Sequence, residues 1–286
     1  MAEPGRRERA VGAPGDETRF AGGTAYRAEG SGEPIMLVHG VGMNKAFWTH
    51  QVAAFATSHR VIAYDLLGHG ETASPDGPPT LASFVRQLGD LMDALGLAAA
   101  NVVGHSMGAL IALGFALEQP TRVLRVAALN AVHERSDEQR RAVLERAGHL
   151  ARSGAGPLVE QTLARWFGEH PGPQHAESVA RARAWLAAAP PRGYAEAYRV
   201  FAESDRAHAG RLQALRMPAL FLTGELDPNS TPEMSARMAA AAPQGTSVAL
   251  PGERHMMVLA SASAVNRELR AFLDTVPQRS QAAAPA

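Results

Sequence analysis

Three side chains suited to nucleophilic acyl transfer stand in order along this chain: Ser106, Asp227 and His255. Ser106 lies in Gly104-His-Ser-Met-Gly108, between an apolar run ending at Val103 and a helical stretch opening at Met107. A strand-to-helix turn of this kind is sharp, strains the serine backbone and presents the hydroxyl at a helix N-terminus. The helix dipole there favours developing negative charge. Gly104 and Gly108 leave no Cβ where strand and helix crowd together. A serine hydroxyl attacks poorly alone, so it needs a base and a group that orients the base. His255, in Pro251-Gly-Glu-Arg-His255, would take the serine proton and return it to the leaving group. Asp227, in Gly224-Glu-Leu-Asp227-Pro, would fix the imidazole tautomer and stabilise its charge. Glu225 is the alternative acid, in which case Asp227 is a cap. His105 is expected to be packed, hydrogen-bonded and pointed away from the reaction.

A tetrahedral intermediate also needs donors for its oxygen. His39-Gly-Val-Gly42 follows the apolar run Ile35–Val38, and its glycines let backbone N–H groups approach a substrate. The N–H groups of Val41 and Met107 are assigned to this hole. His39 is read as a brace for the loop.

These residues must be placed by the elements around them. Short apolar runs at Ile35–Val38, Val61–Tyr64, Asn101–Val103, Val123–Leu129, Ala219–Thr223 and Ser247–Leu250 read as strands covered on both faces. Helical stretches at Leu81–Leu95, Met107–Leu117, Pro232–Ala240 and Ala262–Leu273 separate most of them. That alternation predicts an α/β fold with a mostly parallel central sheet and helices on both faces. The core is assigned to 19–132 and 212–276. From 133 to 211 no strand is legible, and the segment reads as a helical lid inserted between strands. Ser136-Asp-Glu-Gln139 is a capping box, Gly156-Pro157 opens a second helix, and His175–Ala188 and Tyr194–Ala202 are a third and a fourth. Such a lid belongs over the carboxyl edge of the sheet. Trp166 would then wall a pocket, and Arg165 or Arg199 could pair with a substrate carboxylate.

The remaining properties narrow the function. The 28 basic and 28 acidic residues balance, which argues against general affinity for nucleic acid or an anionic membrane. With no cysteine, disulfides, thiolate catalysis and cysteine-ligated metals are excluded. No metal-ligand cluster or phosphate loop is legible, so no cofactor is expected. The expected partner is a small-molecule substrate, with a homodimer left open. Residues 1–18 and 277–286 read as a disordered lead-in and tail. Neither a secretory signal nor a run long enough to span a membrane is present, so a cytoplasmic location is expected.

At this point the motifs resemble the α/β-hydrolase superfamily. The resemblance covers residues 20–275 and rests on HGVG at 39–42, DLLGHGET at 65–72, GHSMG at 104–108, GELDP at 224–228 and GERH at 252–255. Thr72 stands where the family usually has serine. Ala164-Arg-Trp-Phe167 and Pro191-Arg-Gly-Tyr194 look like the lid pattern of the 3-oxoadipate enol-lactonase group. GHSMG is also found in amidases that act on N-acylated enamine dicarboxylates. The resemblance implies a cofactor-free hydrolase of a small ester or lactone, with such an amide as the alternative. A haloperoxidase-like or lyase activity, and a ligand receptor with little turnover, are the competitors on the same scaffold.

Overall fold

The computed structural model describes residues 17–154 and 156–275. The lead-in up to residue 16 and the tail from 276 lie outside the described residues. The chain opens with β1 (Arg19–Ala21), β2 (Thr24–Glu29) and β3 (Glu33–Val38). It continues through α1 (Thr49–Phe55), β4 (His59–Tyr64), α2 (Leu81–Ala94), β5 (Ala100–His105), α3 (Met107–Glu118) and β6 (Val123–Leu129). Four helices follow: α4 (Asp137–Ser153), α5 (Val159–Phe167), α6 (Ala176–Ala188) and α7 (Pro191–Glu203). The sheet then resumes with β7 (Ala219–Gly224), α8 (Pro232–Ala241), β8 (Gly245–Leu250), α9 (Met257–Ala260) and α10 (Ala262–Leu273).

The eight strands form one sheet in the order β1-β2-β4-β3-β5-β6-β7-β8. From β4 to β8 every neighbouring pair is parallel, while β1–β2 and β2–β4 are antiparallel. β5 is buried along its whole length, which is why it is apolar without alternation. α3 is apolar on all sides because it lies between the sheet and α2. A Cβ on Gly104 would overlap the Gly108 carbonyl, and one on Gly108 would overlap the Val38 carbonyl. The turn around Ser106 is therefore open only to glycine at those two places.

Three features depart from the sequence expectation. The β1–β2 hairpin was not anticipated, although Gly22-Gly23, both at positive φ, is a strong two-residue hairpin signal. α1 was also not anticipated. β8, expected to be buried on both faces, is a sheet edge whose side chains are mostly exposed until Leu250. It has one strand neighbour, so only one edge of it is sheltered.

Between β6 and β7 the capping box forms as written: Ser136 Oγ accepts from the Gln139 N–H at 3.2 Å, and Gln139 Oε1 accepts from the Ser136 N–H at 3.0 Å. The Gly156-Pro157 opening is a short 3-10 turn that leads into α5. α7 begins three residues before Tyr194, with Pro191 in its first turn. Gly193 touches Gly68 backbone to backbone, leaving no room for a Cβ on either. Among the described residues no helix is long and apolar enough to cross a membrane.

Candidate active site

Ser106 ends β5 at φ 56° and ψ −115°, a strained backbone for any residue with a Cβ. Its N–H donates to the Leu129 carbonyl at 2.8 Å, which ties the turn to β6. As the residue that caps α3, it presents its hydroxyl beside N–H groups that have no partner within the helix. Met107 supplies one of these. Val41 lies across the same cavity from Ser106, on the loop after β3.

His255 follows β8 and is 3% exposed. Its Nδ1 donates to Asp227 Oδ2 at 2.7 Å. Asp227, after β7, is wholly enclosed and accepts two further hydrogen bonds. Asn130 Nδ2 donates to Oδ2 at 2.8 Å, and the Asn229 N–H donates to Oδ1 at 2.8 Å. Burial pushes the Asp227 carboxyl upward, but the His255 imidazole and these donors outweigh it and hold the group below its usual value. Glu225, the alternative acid, is exposed and accepts from the Gly252 N–H. It is not part of the constellation.

The loops at the carboxyl edge brace each other reciprocally. His39, on the loop after β3, accepts the Leu66 N–H at its Nε2 (3.1 Å). His69, on the loop after β4, accepts the Gly42 N–H at its Nε2 (3.0 Å). Each ring sends its other nitrogen to a carbonyl, Gly40 for His39 and Leu67 for His69. Both rings must therefore be neutral with the proton on Nδ1. Burial pushes both pKa values down, which fits. Asp65, fully buried, accepts the Lys45 N–H, the Lys45 ammonium and the Glu71 N–H. The loop carrying Val41 is thus fixed from two sides.

Ser106 and His255 share a cavity with Trp166, Tyr198, Phe201, Met256 and others. Trp166 stacks on the His255 ring with centroids 6.0 Å apart. His105 is packed and hydrogen-bonded, as expected: it is buried against Phe47 and its Nε2 bonds the His255 carbonyl at 2.9 Å, and the residue borders the cavity. Burial, then the neighbouring His255, push its pKa down to about 3, so it stays neutral.

Three arginines line this cavity: Arg135, Arg146 and Arg165. Arg135 lies over the Phe201 ring and is satisfied by the carbonyls of Phe201 and Ala202 and by Asp205. Arg146 contacts the Tyr198 hydroxyl at 3.2 Å, and Arg165 the Thr162 hydroxyl at 3.3 Å. Among the described residues neither Arg146 nor Arg165 has a carboxylate partner. Arg199 does not reach the cavity: its guanidinium pairs with Glu203 at 2.8 Å and with the Pro79 carbonyl. It sits on the α7 face turned to the loop before α2, so the expected contact with substrate is withdrawn. Arg146, Asn130 and Asn229 escaped the sequence reading. Arg146 is one of several arginines on α4, and spacing alone does not separate them; Asn130 and Asn229 flank motifs without being in them. Among the described residues no group of three or more His, Cys, Asp or Glu side chains is placed to hold a metal ion.

Comparison with known proteins agrees with this geometry. The family model of the alpha/beta hydrolase fold matches residues 33–262. A protein of Acinetobacter baylyi named (E)-2-((N-methylformamido)methylene)succinate hydrolase is 38% identical over 254 residues, covering 88% of this chain and 94% of that one. 3-Oxoadipate enol-lactonase 1 of the same organism is 29% identical, covering 69% of this chain and 72% of its own. The crystal structure of the enol-lactonase from Burkholderia xenovorans LB400 superposes with a TM-score of 0.82 at 28% identity, covering 91% of this chain and all of that one. The chain therefore belongs to the α/β-hydrolase family and is a hydrolase.

Proposed function

We propose that the chain hydrolyses the amide of an N-acylated enamine dicarboxylate through an acyl-enzyme on Ser106. The observation that carries the substrate class is the pair Arg146 and Arg165, two guanidinium groups without carboxylate partners on the wall of the cavity that holds Ser106 and His255. A half-buried cation left unpaired is costly, and a substrate carboxylate can supply the missing partner bidentately. The name of the relative at 38% identity, a substituted succinate hydrolase, supports the same class.

In the first step Ser106 Oγ attacks the acyl carbon as His255 Nε2 takes its proton. Oxygen charge develops against the Val41 and Met107 N–H groups. The C–N bond then breaks, with His255 returning the proton to the leaving nitrogen. In the second step a water attacks the acyl-enzyme, His255 takes the water proton, and Ser106 leaves protonated with the carboxylic acid released. Asp227 stabilises the imidazolium in both steps. Trp166, stacked on His255, excludes bulk water from that face.

A lactone is the second reading. The lactonase relatives support it, and ring opening needs the same steps with oxygen as the leaving atom. The test is turnover of (E)-2-((N-methylformamido)methylene)succinate, of 3-oxoadipate enol-lactone and of neutral 4-nitrophenyl acetate by wild type, Arg146→Ala and Arg165→Ala. The amide reading expects the succinate amide to be preferred, and each arginine change to raise its KM about ten- to a hundredfold while sparing the neutral ester. Preference for the enol-lactone selects the second reading. Ligand-dependent thermal shifts without turnover of any compound would favour a receptor.

A further inference from the structure

The cavity around Ser106 is walled mostly by buried residues. Of its lining residues, all but Arg146, Arg165 and Asn229 are buried. These three half-buried side chains form its least covered wall. One of them, Arg165, also borders a second, more open cleft on the surface, lined by Ala164, Arg165, Phe167–His170, Pro228 and Arg254. Arg165 belongs to both cavities. Pro228 and Arg254 face the cleft, while their neighbours Asn229 and His255 face the active cavity. The two spaces are thus back to back, separated by the Arg165 side chain and by a single thickness of the loops after β7 and β8.

The Arg165 side chain is held on the protein by one hydroxyl contact, Thr162 Oγ1 at 3.3 Å. Few hydrogen bonds therefore oppose a swing of this side chain. The neighbouring pocket under Phe167 and His175 is a poorer path. It meets the active cavity at Trp166 and Met256, both buried, and Trp166 is stacked on His255. Opening it would disturb the imidazole.

We propose that substrate enters through the cleft between the end of α5 and the loops at Pro228 and Arg254, with Arg165 as its gate and Arg254 as the cation that collects an anionic substrate. Arg254 is half-exposed, and its guanidinium bonds the Leu226 carbonyl at 3.3 Å. The nearby carboxylates are partly engaged elsewhere. Glu253 accepts from Ser261 Oγ and Glu225 from the Gly252 N–H. Glu169 shares the cleft and offsets one of the two cations. Arg165 and Arg254 leave the mouth net positive. An anion would therefore pass from Arg254 to Arg165 and on to Arg146, each step ending against a guanidinium. The collecting role rests on the carboxylate reading above, whereas the path does not.

The absence of cysteine in the sequence makes the path testable by labelling. Glu169→Cys and Gln174→Cys place single thiols on the rim of the cleft and of the neighbouring pocket respectively. Each is assayed with neutral 4-nitrophenyl acetate before and after reaction with a bulky maleimide. Labelling at 169 should cut turnover at least about tenfold, and labelling at 174 should leave it within about twofold, as expected when the mouth in use is plugged and a neighbouring one is not. Unchanged turnover after labelling at 169, or loss only after labelling at 174, overturns the path.

Arg254→Gln tests collection, with 4-nitrophenyl hemisuccinate as the anionic probe and the acetate as the neutral one. At low salt the variant should lose about three- to tenfold in kcat/KM for the hemisuccinate and much of its salt dependence, with kcat and acetate turnover unchanged. An unaltered salt dependence overturns the role of Arg254. If wild type shows no advantage for the hemisuccinate over the acetate, the carboxylate reading falls and the collecting role with it, while the labelling result still decides the path.

Discussion

Asn130 Nδ2 lies 2.8 Å from Asp227 Oδ2, the same oxygen that accepts from His255 Nδ1. Asn130 is itself at φ 49°, in the left-handed region, just beyond the end of β6. Its carbonyl accepts from Ser230 Oγ at 2.6 Å, so the residue is clamped at two points to the loop after β7 that carries Asp227.

Replacing Asn130 by glycine tests what that donor does without disturbing the backbone, because glycine accepts positive φ freely. One hydrogen bond to a buried charge is worth about 1.5–3 kcal/mol. The expected result is a loss of about ten- to a hundredfold in kcat with little change in KM. A variant with wild-type kcat would reduce Asn130 to a packing residue.

The strain at Ser106 should be measurable as stability. Ser106→Gly removes the penalty of φ 56° on a residue with a Cβ. Such strain is on the order of 1–3 kcal/mol, and the extra backbone entropy of glycine takes back roughly 1 kcal/mol. A gain on the order of 1 kcal/mol, or about 2 °C in Tm, should accompany complete loss of turnover. A clear loss of stability would mean that the turn is not strained.

The two candidate acids are separated by their surroundings. Asp227→Asn should cost on the order of 10⁴ in kcat, because an amide would favour the wrong imidazole tautomer. Glu225→Gln should cost less than about twofold, since its carboxylate meets only the Gly252 N–H at the surface. Steady-state kinetics of the two variants side by side check this, and the reverse ranking would move the acid to Glu225.

Acid stability follows from the buried histidines. His39, His69 and His105 have folded-state pKa values below 6.5, chiefly because burial disfavours the charged ring. Below pH 6.5 the unfolded chain binds protons that the folded chain does not. Stability is therefore fully present above pH 6.5 and declines as pH falls, for His105 down to about 3. A ring that stays neutral while its unfolded counterpart is protonated contributes at most about 1.4 kcal/mol per pH unit. Asp227 acts in the same direction at lower pH: its depressed pKa means stability present above 3.8 and lost below it. Urea midpoints at pH 8, 6, 5 and 4 should fall steadily from pH 6, and a flat series from 8 to 5 would contradict the neutral-ring assignment.

The primary sequence by itself determined the family, the sheet's parallel core and the positions of Ser106, Asp227 and His255. Each of these leaves a local mark. A buried parallel strand must be apolar on both faces, and the turn at Ser106 admits only glycine at 104 and 108. The capping box at Ser136–Gln139 is equally local, being four residues that satisfy one helix end. Only the tertiary structure decided which arginines face the cavity. Arg146, Arg165 and Arg199 all lie on helical surfaces of similar composition, and what separates them is whether Glu203 or an open cavity stands opposite. The same holds for Asn130 and for His69, whose partners Asp227 and Gly42 are 97 and 27 residues away. A hydrogen bond across such distances depends on where two loops meet at the sheet edge, and no local pattern encodes that meeting.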